Sequence, residues 1–216
     1  MADLQNKPVI IGFPIEIENA VNKIRLKLGA LSWIDHPYFI AQRFFRKDST
    51  TKRLFIYPET YAPETPGNRN YKRLTPDNDF TGMFFFMVGD GSNDFEASQY
   101  NFLTYPVSII FSVNLKLIDE AKLNAGLFTQ ELIREARRVL TDEMISFDFD
   151  YNILNETRDL QRCFREFRMD ELEQYNRAPM QCFRFDLSVR VREDCNLVIP
   201  DVNDGLYQYG YDEEYE

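Results

Sequence analysis

Apolar and polar residues alternate most cleanly near the end of the chain, in "MQCFRFDLSVRVR" at residues 180–192. Phe183, Phe185, Leu187, Val189 and Val191 occupy every second position, with Arg184, Asp186, Ser188, Arg190 and Arg192 between them. A period of two predicts a strand with one dry face and one wet face. "YPVSIIFSVNLKLID" alternates in the same way. Val107, Ile109, Phe111, Val113, Leu115 and Leu117 share one side, Ser108, Ser112, Asn114 and Lys116 the other, and Ile110 breaks the pattern. "FTGMFFFMVGDG" sets Phe84, Phe86 and Val88 against Met83, Phe85 and Met87. A segment apolar on both sides predicts a central strand covered twice, or a strand held in an oligomer interface. "WIDHPYFIAQRFFRK" and "RLFIY", bounded by the polar turn "KDSTTK", and later "ISFDFDYNIL", complete the predicted strands.

Two segments change to helical spacing. In "PIEIENAVNKIRLKLG", Ile17, Val21, Ile24 and Leu28 form one narrow stripe beside Ala20. Pro14 suits the first helical position and Gly29 the residue after the last. That stripe fits packing on the chain's own sheet, and a neighbouring subunit is the alternative cover. "FTQELIREARRVLTDEM" places Leu132, Ile133, Ala136, Val139, Leu140 and Met144 on one side. Thr129 is the expected N-cap, and Glu131, Arg134, Glu135, Arg138 and Asp142 form a solvated outer side with ordinary exposed ion pairs. "NETRDLQRCFREFRMDELEQYNRAP" fits a helix better than a strand, with Leu160, Phe164 and Phe167 near one side and Arg158, Arg162 and Arg165 near another.

This element order predicts one α+β domain over residues 1–195, an antiparallel or mixed sheet covered by amphipathic helices. Two segments stand outside the pattern. Residues 57–79 contain Pro58, Pro63, Pro66, Pro76 and Gly67 with little periodicity, and read as an extended Pro-rich arm or, equally, a mobile surface loop. Residues 196–216 form an acidic, tyrosine-rich tail.

Composition sharpens this picture. A chain of 216 residues buries enough surface to need no staples, and its 19 Phe and 12 Tyr promise a core with large apolar area per residue. The formal charge is −10, and the last sixteen residues hold Asp201, Asp204, Asp212, Glu213, Glu214 and Glu216 with no basic residue. An acidic balance argues against stable nucleic-acid binding, which rests on neutralising phosphates. It leaves open a place beside DNA that slides past without sticking. Cys163, Cys182 and Cys195 make an odd set without metal-ligand spacing, so reduced cysteines packing as small apolar groups are expected. Neither a secretory leader nor a run long enough to span a bilayer is seen, so a soluble product of the cytoplasm is expected, without a membrane partner.

Candidate chemistry is sparse. His36 is the single histidine, which removes most triads and zinc sets; it precedes Pro37 in an expected turn and reads as structural. Asp148 and Asp150 would share one strand face about 7 Å apart, a spacing that could suit a metal-assisted hydrolase, although a solvated strand face is the far commoner source of this pattern. "DGSNDFEAS", around Asp90, Ser92 and Asp94, lacks the central glycine and closing glutamate of a calcium loop. No phosphate-cradling or dinucleotide motif is found, so no cofactor and no enzymatic activity are expected. The arginines of residues 180–192 are diluted by carboxylates. They fit contacts to an acidic surface: Arg184, Arg190 and Arg192 of one copy could receive the tail of another through Tyr207, Tyr209, Tyr211, Asp212 and Glu213. A disordered solubilising tail is the plainer alternative.

The N-terminal amphipathic helix, "YPVSIIFSVNLKLID", "FTQELIREARRVL" and "MQCFRFDLSVRVRED" together resemble the α+β ring proteins at the head–tail junction of tailed bacteriophages. These are the connector and tail-terminator type, and the aromatic-rich style with a Pro-rich insertion is similar to the neck rings of crAss-like phages. The resemblance spans roughly residues 10–195 as a pattern of elements. It implies a structural virion protein without catalysis, made in the host cytoplasm. Copies would form a homo-oligomeric ring against portal, neck or tail proteins, with genome DNA passing through. A cytosolic adaptor using a sheet edge or the acidic tail is the alternative.

Overall fold

The computed structural model describes residues 14–192 apart from 48, 50–51, 63–70, 77–78, 95–101, 124–126, 143–148 and 170–177. The first helix, α1 (Ile15–Leu28), starts after Pro14, which sits at the N-cap with φ −55° and ψ 142°. Glu16 and Glu18 in its first turn and Arg25 and Lys27 in its last oppose the helix dipole. Gly29 closes it by donating its N–H to the Arg25 carbonyl at 2.8 Å. Ile17, Ala20, Val21, Ile24 and Leu28 are all buried against the chain's own sheet, as the narrow stripe predicts. Each of the four larger side chains contributes about 1.5–3 kcal/mol when fully buried.

The sheet has eight strands: β1 (His36–Lys47), β2 (Leu54–Tyr61), β3 (Tyr71–Arg73), β4 (Gly82–Val88), β5 (Ser92–Asp94), β6 (Phe102–Asn114), β7 (Phe149–Thr157) and β8 (Met180–Arg192). Their order is β3-β2-β1-β4-β6-β8-β7, with β5 paired on β6. Only β1 with β4 is parallel, so the sheet is mixed and the fold is α+β. The centre is the long ladder of β6 and β8, in register from Phe102 opposite Arg192 to Asn114 opposite Met180.

One face of this ladder carries the larger core. Val107, Ile109, Phe111 and Val113 meet Phe183, Phe185, Leu187 and Val189 there, under α1 and α3 (Phe128–Thr141). Phe111 and Phe183 stack with ring centroids 4.6 Å apart. Leu132, Ile133, Ala136 and Leu140 of α3 are buried as expected. Phe128 opens this helix after Leu127, so Thr129 lies in the first turn and is not the cap. The opposite face carries a second, smaller core of Phe85, Ile110 and Cys182 against Cys163, Phe164, Phe167 and Met169. Ile110 therefore breaks the polar alternation because its side of β6 is also covered. No helix among the described residues is long and apolar enough to cross a membrane.

Four expectations change. β6 ends at Asn114, whose side chain accepts from the Lys116 N–H at 3.2 Å and caps the one-turn helix α2 (Leu115–Ile118). Leu115 and Leu117 thus leave the strand, because a side-chain acceptor at that point competes with the ladder. Residues 155–169 do not form a long helix. Asn155–Thr157 finish β7, and α4 (Leu160–Cys163) makes a single turn capped by Asp159. The chain then crosses to β2, where Arg168 and Ile56 exchange backbone hydrogen bonds of 2.9 and 3.0 Å. Its apolar residues fill a sheet face, so no single helical stripe is needed. Much of the Pro-rich arm is also strand: β2 continues through Pro58 to Tyr61, and Tyr71–Arg73 forms β3, leaving 63–70 outside the described residues. Lastly, His36 begins β1 opposite Met83 and is not in a turn; it stacks on Tyr38 and meets the edge of Phe80.

Trp33, in the turn after α1, packs within 6.1 Å of Phe111 and 6.3 Å of Phe183, and its indole N–H donates to Glu135 at 2.7 Å. Glu135 is therefore tied to the core turn as well as facing solvent. A Cβ on Gly82 would collide with the Trp33 carbonyl, which leaves room only for glycine where that turn meets β4. Gly82→Ala is expected to destabilise the protein by about 1–3 kcal/mol in chemical denaturation, through a forced backbone shift. A variant as stable as the parent would contradict this close approach.

Candidate functional site

β8 carries the residues singled out by alternation, and the structure divides them. Arg184 is only 1% exposed, so it belongs to no wet face. Residues 160–169 cover it, and all five of its N–H donors are used. Nε donates to Asp186 at 2.6 Å, and the two terminal nitrogens fork onto both Glu166 oxygens at 2.6 Å each. The remaining donors reach the Cys163 carbonyl at 3.1 Å and Ser108 Oγ at 2.7 Å. Ser108 in turn donates to Asp186 at 2.8 Å, and Arg165 approaches the same carboxylate at 3.4 Å. The buried guanidinium thus ties together β6, β8 and the carbonyl end of α4. This corrects the expectation that Arg184 faces an acidic neighbour: its acidic partners are internal.

Electrostatics within the cluster follow from that geometry. Burial works against every charge in it. The Arg184 hydrogen bonds and positive charge nonetheless hold Glu166 below the usual carboxylate range. Asp186 is lowered in the same way, with help from Ser108. Arg184 is pushed further up by its two carboxylates despite its own burial. Burial raises the thiols of Cys163 and Cys182 to about 12, so both stay protonated and pack as apolar groups, as expected.

Other expected residues are more scattered. Arg190 is half-buried, with its guanidinium 4.1 Å from the centre of the Phe102 ring and Asp150 opposite it in the β7–β8 register. Arg192 is half-buried at the end of β8, opposite Phe102. Asp150 is exposed, whereas Asp148, Tyr207, Tyr209, Tyr211, Asp212 and Glu213 lie outside the described residues. Ser92–Asp94, within the stretch compared with a calcium loop, forms β5 on β6. A groove of about 350 Å³ between Trp33, Asp119 and α3 is lined by several charged side chains, among which Lys122 pairs with Glu131 at 3.2 Å and Glu135 accepts from the Trp33 indole.

The strongest surface feature lies at the opposite flank of the sheet. β4 accompanies β1 only as far as Ile40, so the outer half of β1 and the start of β2 project as a two-stranded hairpin. On this hairpin Arg43, Arg46, Lys47, Lys52 and Arg53 are exposed, and beside it so are Lys72, Arg73 and Arg168. The one described acid in β1, β2 and β3 is Glu59, which is buried. Apolar groups are interleaved: Phe45 is 57% exposed, Leu54 44% and Tyr71 40%. In the register, Phe45 lies opposite Ile56 and Lys47 opposite Leu54, so Arg43, Phe45, Lys47, Leu54 and Ile56 share one face. Cations alternating with large apolar groups suit an acidic, aromatic polypeptide segment or another polyanion. The sequence held the signal, since "QRFFRKDSTTKRLF" has five basic residues and one acid, but the whole-chain charge of −10 masks it.

By sequence, no protein-family model matches the chain and no curated protein resembles it.

Removing one partner of the buried cluster leaves a charge stranded, so Arg184→Met or Glu166→Gln is expected to cost about 3–5 kcal/mol in urea unfolding. Because Glu166 and Asp186 are lowered from 4.5 and 3.8, their stabilisation is present above those values and is lost as pH falls below them. The parent should therefore lose more stability on acidification than Arg184→Met does. Equal acid sensitivity would show that the cluster contributes nothing.

Proposed function

We propose that the chain is a non-catalytic structural subunit that assembles side by side with copies of itself into a ring, of the kind found at the head–tail junction of tailed bacteriophages. The observation that carries this reading is the polarity of the subunit. Eight exposed cations gather on one flank of the sheet in a chain whose formal charge is −10, so the rest of the molecule is strongly acidic. Unlike surfaces meeting head to tail around an axis make closed rings. The sheet ends at β7 on the other flank, where Leu154 is 66% exposed. A sheet edge and a projecting hairpin at opposite flanks supply the two unlike halves of such a contact. Where the acidic surface lines a lumen, it repels passing DNA and does not trap it. The partners on this reading are further copies and the portal, neck or tail proteins above and below, in the virion.

A second reading, a monomeric adaptor that captures an acidic partner, is favoured by the exposed Phe45 and Leu54 on the hairpin. Light scattering with negative-stain imaging separates the two. The ring reading expects a discrete closed oligomer from the full chain, alone or mixed with its virion neighbours. Leu154→Glu should raise the concentration needed for assembly by about tenfold or more, as loss of an interface anchor does. A monomer under all these conditions would overturn the ring and leave the adaptor.

A further inference from the structure

The basic hairpin has a matching segment within the same polypeptide. Beyond Arg192, residues 193–216 contain eight acidic residues and no lysine or arginine. Tyr207, Tyr209 and Tyr211 occupy alternate positions before the run Asp212, Glu213 and Glu214. In an extended segment that spacing puts the three rings on one side. The projecting hairpin offers the complement: Phe45, Leu54 and Ile56 share a face with Arg43 and Lys47, and more cations stand alongside.

Topology brings the two together. β1 runs parallel to β4, β4 antiparallel to β6, and β6 antiparallel to β8. The outward ends of β1 and β8 therefore lie at the same end of the sheet. Three strand spacings separate them, about 14 Å. A segment of this length reaches about 80 Å when extended, so the hairpin is well within range. A tethered segment also competes at a high effective concentration, which favours its own hairpin over a free partner.

We propose that residues 193–216 dock on the basic hairpin of their own chain, with tyrosines against Phe45 and Leu54 and acids against the surrounding cations. The tail then covers a strongly basic surface of an acidic protein, and a partner must displace it to reach that surface. This inference does not rest on the ring reading, because it concerns the single chain.

The test uses a dye-labelled peptide of residues 193–216 and full-length protein, followed by fluorescence anisotropy at a concentration where light scattering shows one species. Three proteins are compared: the parent, a tail-neutralised form (Asp212→Asn, Glu213→Gln, Glu214→Gln, Glu216→Gln), and that form with Arg43→Gln and Lys47→Gln. All these hairpin positions are exposed, and circular dichroism checks that each protein is folded. The neutralised form should bind the peptide about tenfold more tightly than the parent, whose own tail competes. The hairpin changes should then weaken binding by about tenfold, and added salt should weaken it further. Equal binding to parent and neutralised forms, or no effect of the hairpin changes, would overturn the proposal. So would labelled duplex DNA binding the parent as tightly as the neutralised form, which would mark the hairpin as a surface open to nucleic acid. Loss of ring assembly in Leu154→Glu with peptide binding unchanged would separate the two ideas.

Discussion

The second face of the sheet depends on one buried cation. Arg184 sits in the middle of the central ladder, where an unpaired guanidinium would cost several kcal/mol. It is tolerable there because residues 160–169 bring Glu166 and the Cys163 carbonyl over it while Asp186 and Ser108 close from the sheet. The converse also holds. The fork onto Glu166, with the Asp159 cap and the Arg168–Ile56 bridge, fixes the register of a segment that has only one helical turn. Phe164, Phe167 and Met169 supply the apolar area of the second core, and Arg184 determines where that area lands. The crossing that results joins the β7–β8 side of the sheet to β2 through the Arg168–Ile56 bridge. The bridge holds the hairpin at Ile56, opposite Phe45, and leaves the residues nearer its turn projecting.

Much of this architecture is legible as periodicity. α1, α3, β6 and β8 announce themselves by a repeat of about 3.6 or two, broken in β6 only at Ile110, and β4 by an apolar run on both faces, because each has a face that a core must cover. Arg184 lies where alternation alone cannot place it. Alternation shows which side of a strand is polar, but a polar side can face water or lie beneath a satisfied network. Ile110, on that same side of the sheet and in register opposite Arg184, was the clue that the side was covered. The segment 155–169 carries no legible period because its apolar residues fill a broad sheet face. Pro58 and its neighbours read as an arm or loop because proline is disfavoured inside central strands. β2 accommodates it toward the edge of the sheet, next to β3.

The basic hairpin was hidden by averaging. A formal charge of −10 describes the chain as a whole, yet cations dominate the outer half of β1, the residues just before β2, and β3. Two consequences follow from this segregation. Unlike flanks favour repeated head-to-tail contact, and an acidic tail on the same chain has a surface to cover. Both move the expected role of charge away from β8 and toward the hairpin. Arg190 and Arg192 remain half-buried beside Phe102, at the point where the chain leaves the sheet for its acidic end.

Arg184 is spent inside the fold while the hairpin arginines face outward. Arginine-specific dicarbonyl labelling of the full-length native protein, read by mass spectrometry at high salt so that docked anions are released, tests it directly. Arg43, Arg46 and Arg73 should be modified readily, and Arg184 should stay unmodified until the protein unfolds. Labelling of Arg184 in the native state as fast as that of Arg43 would contradict the account.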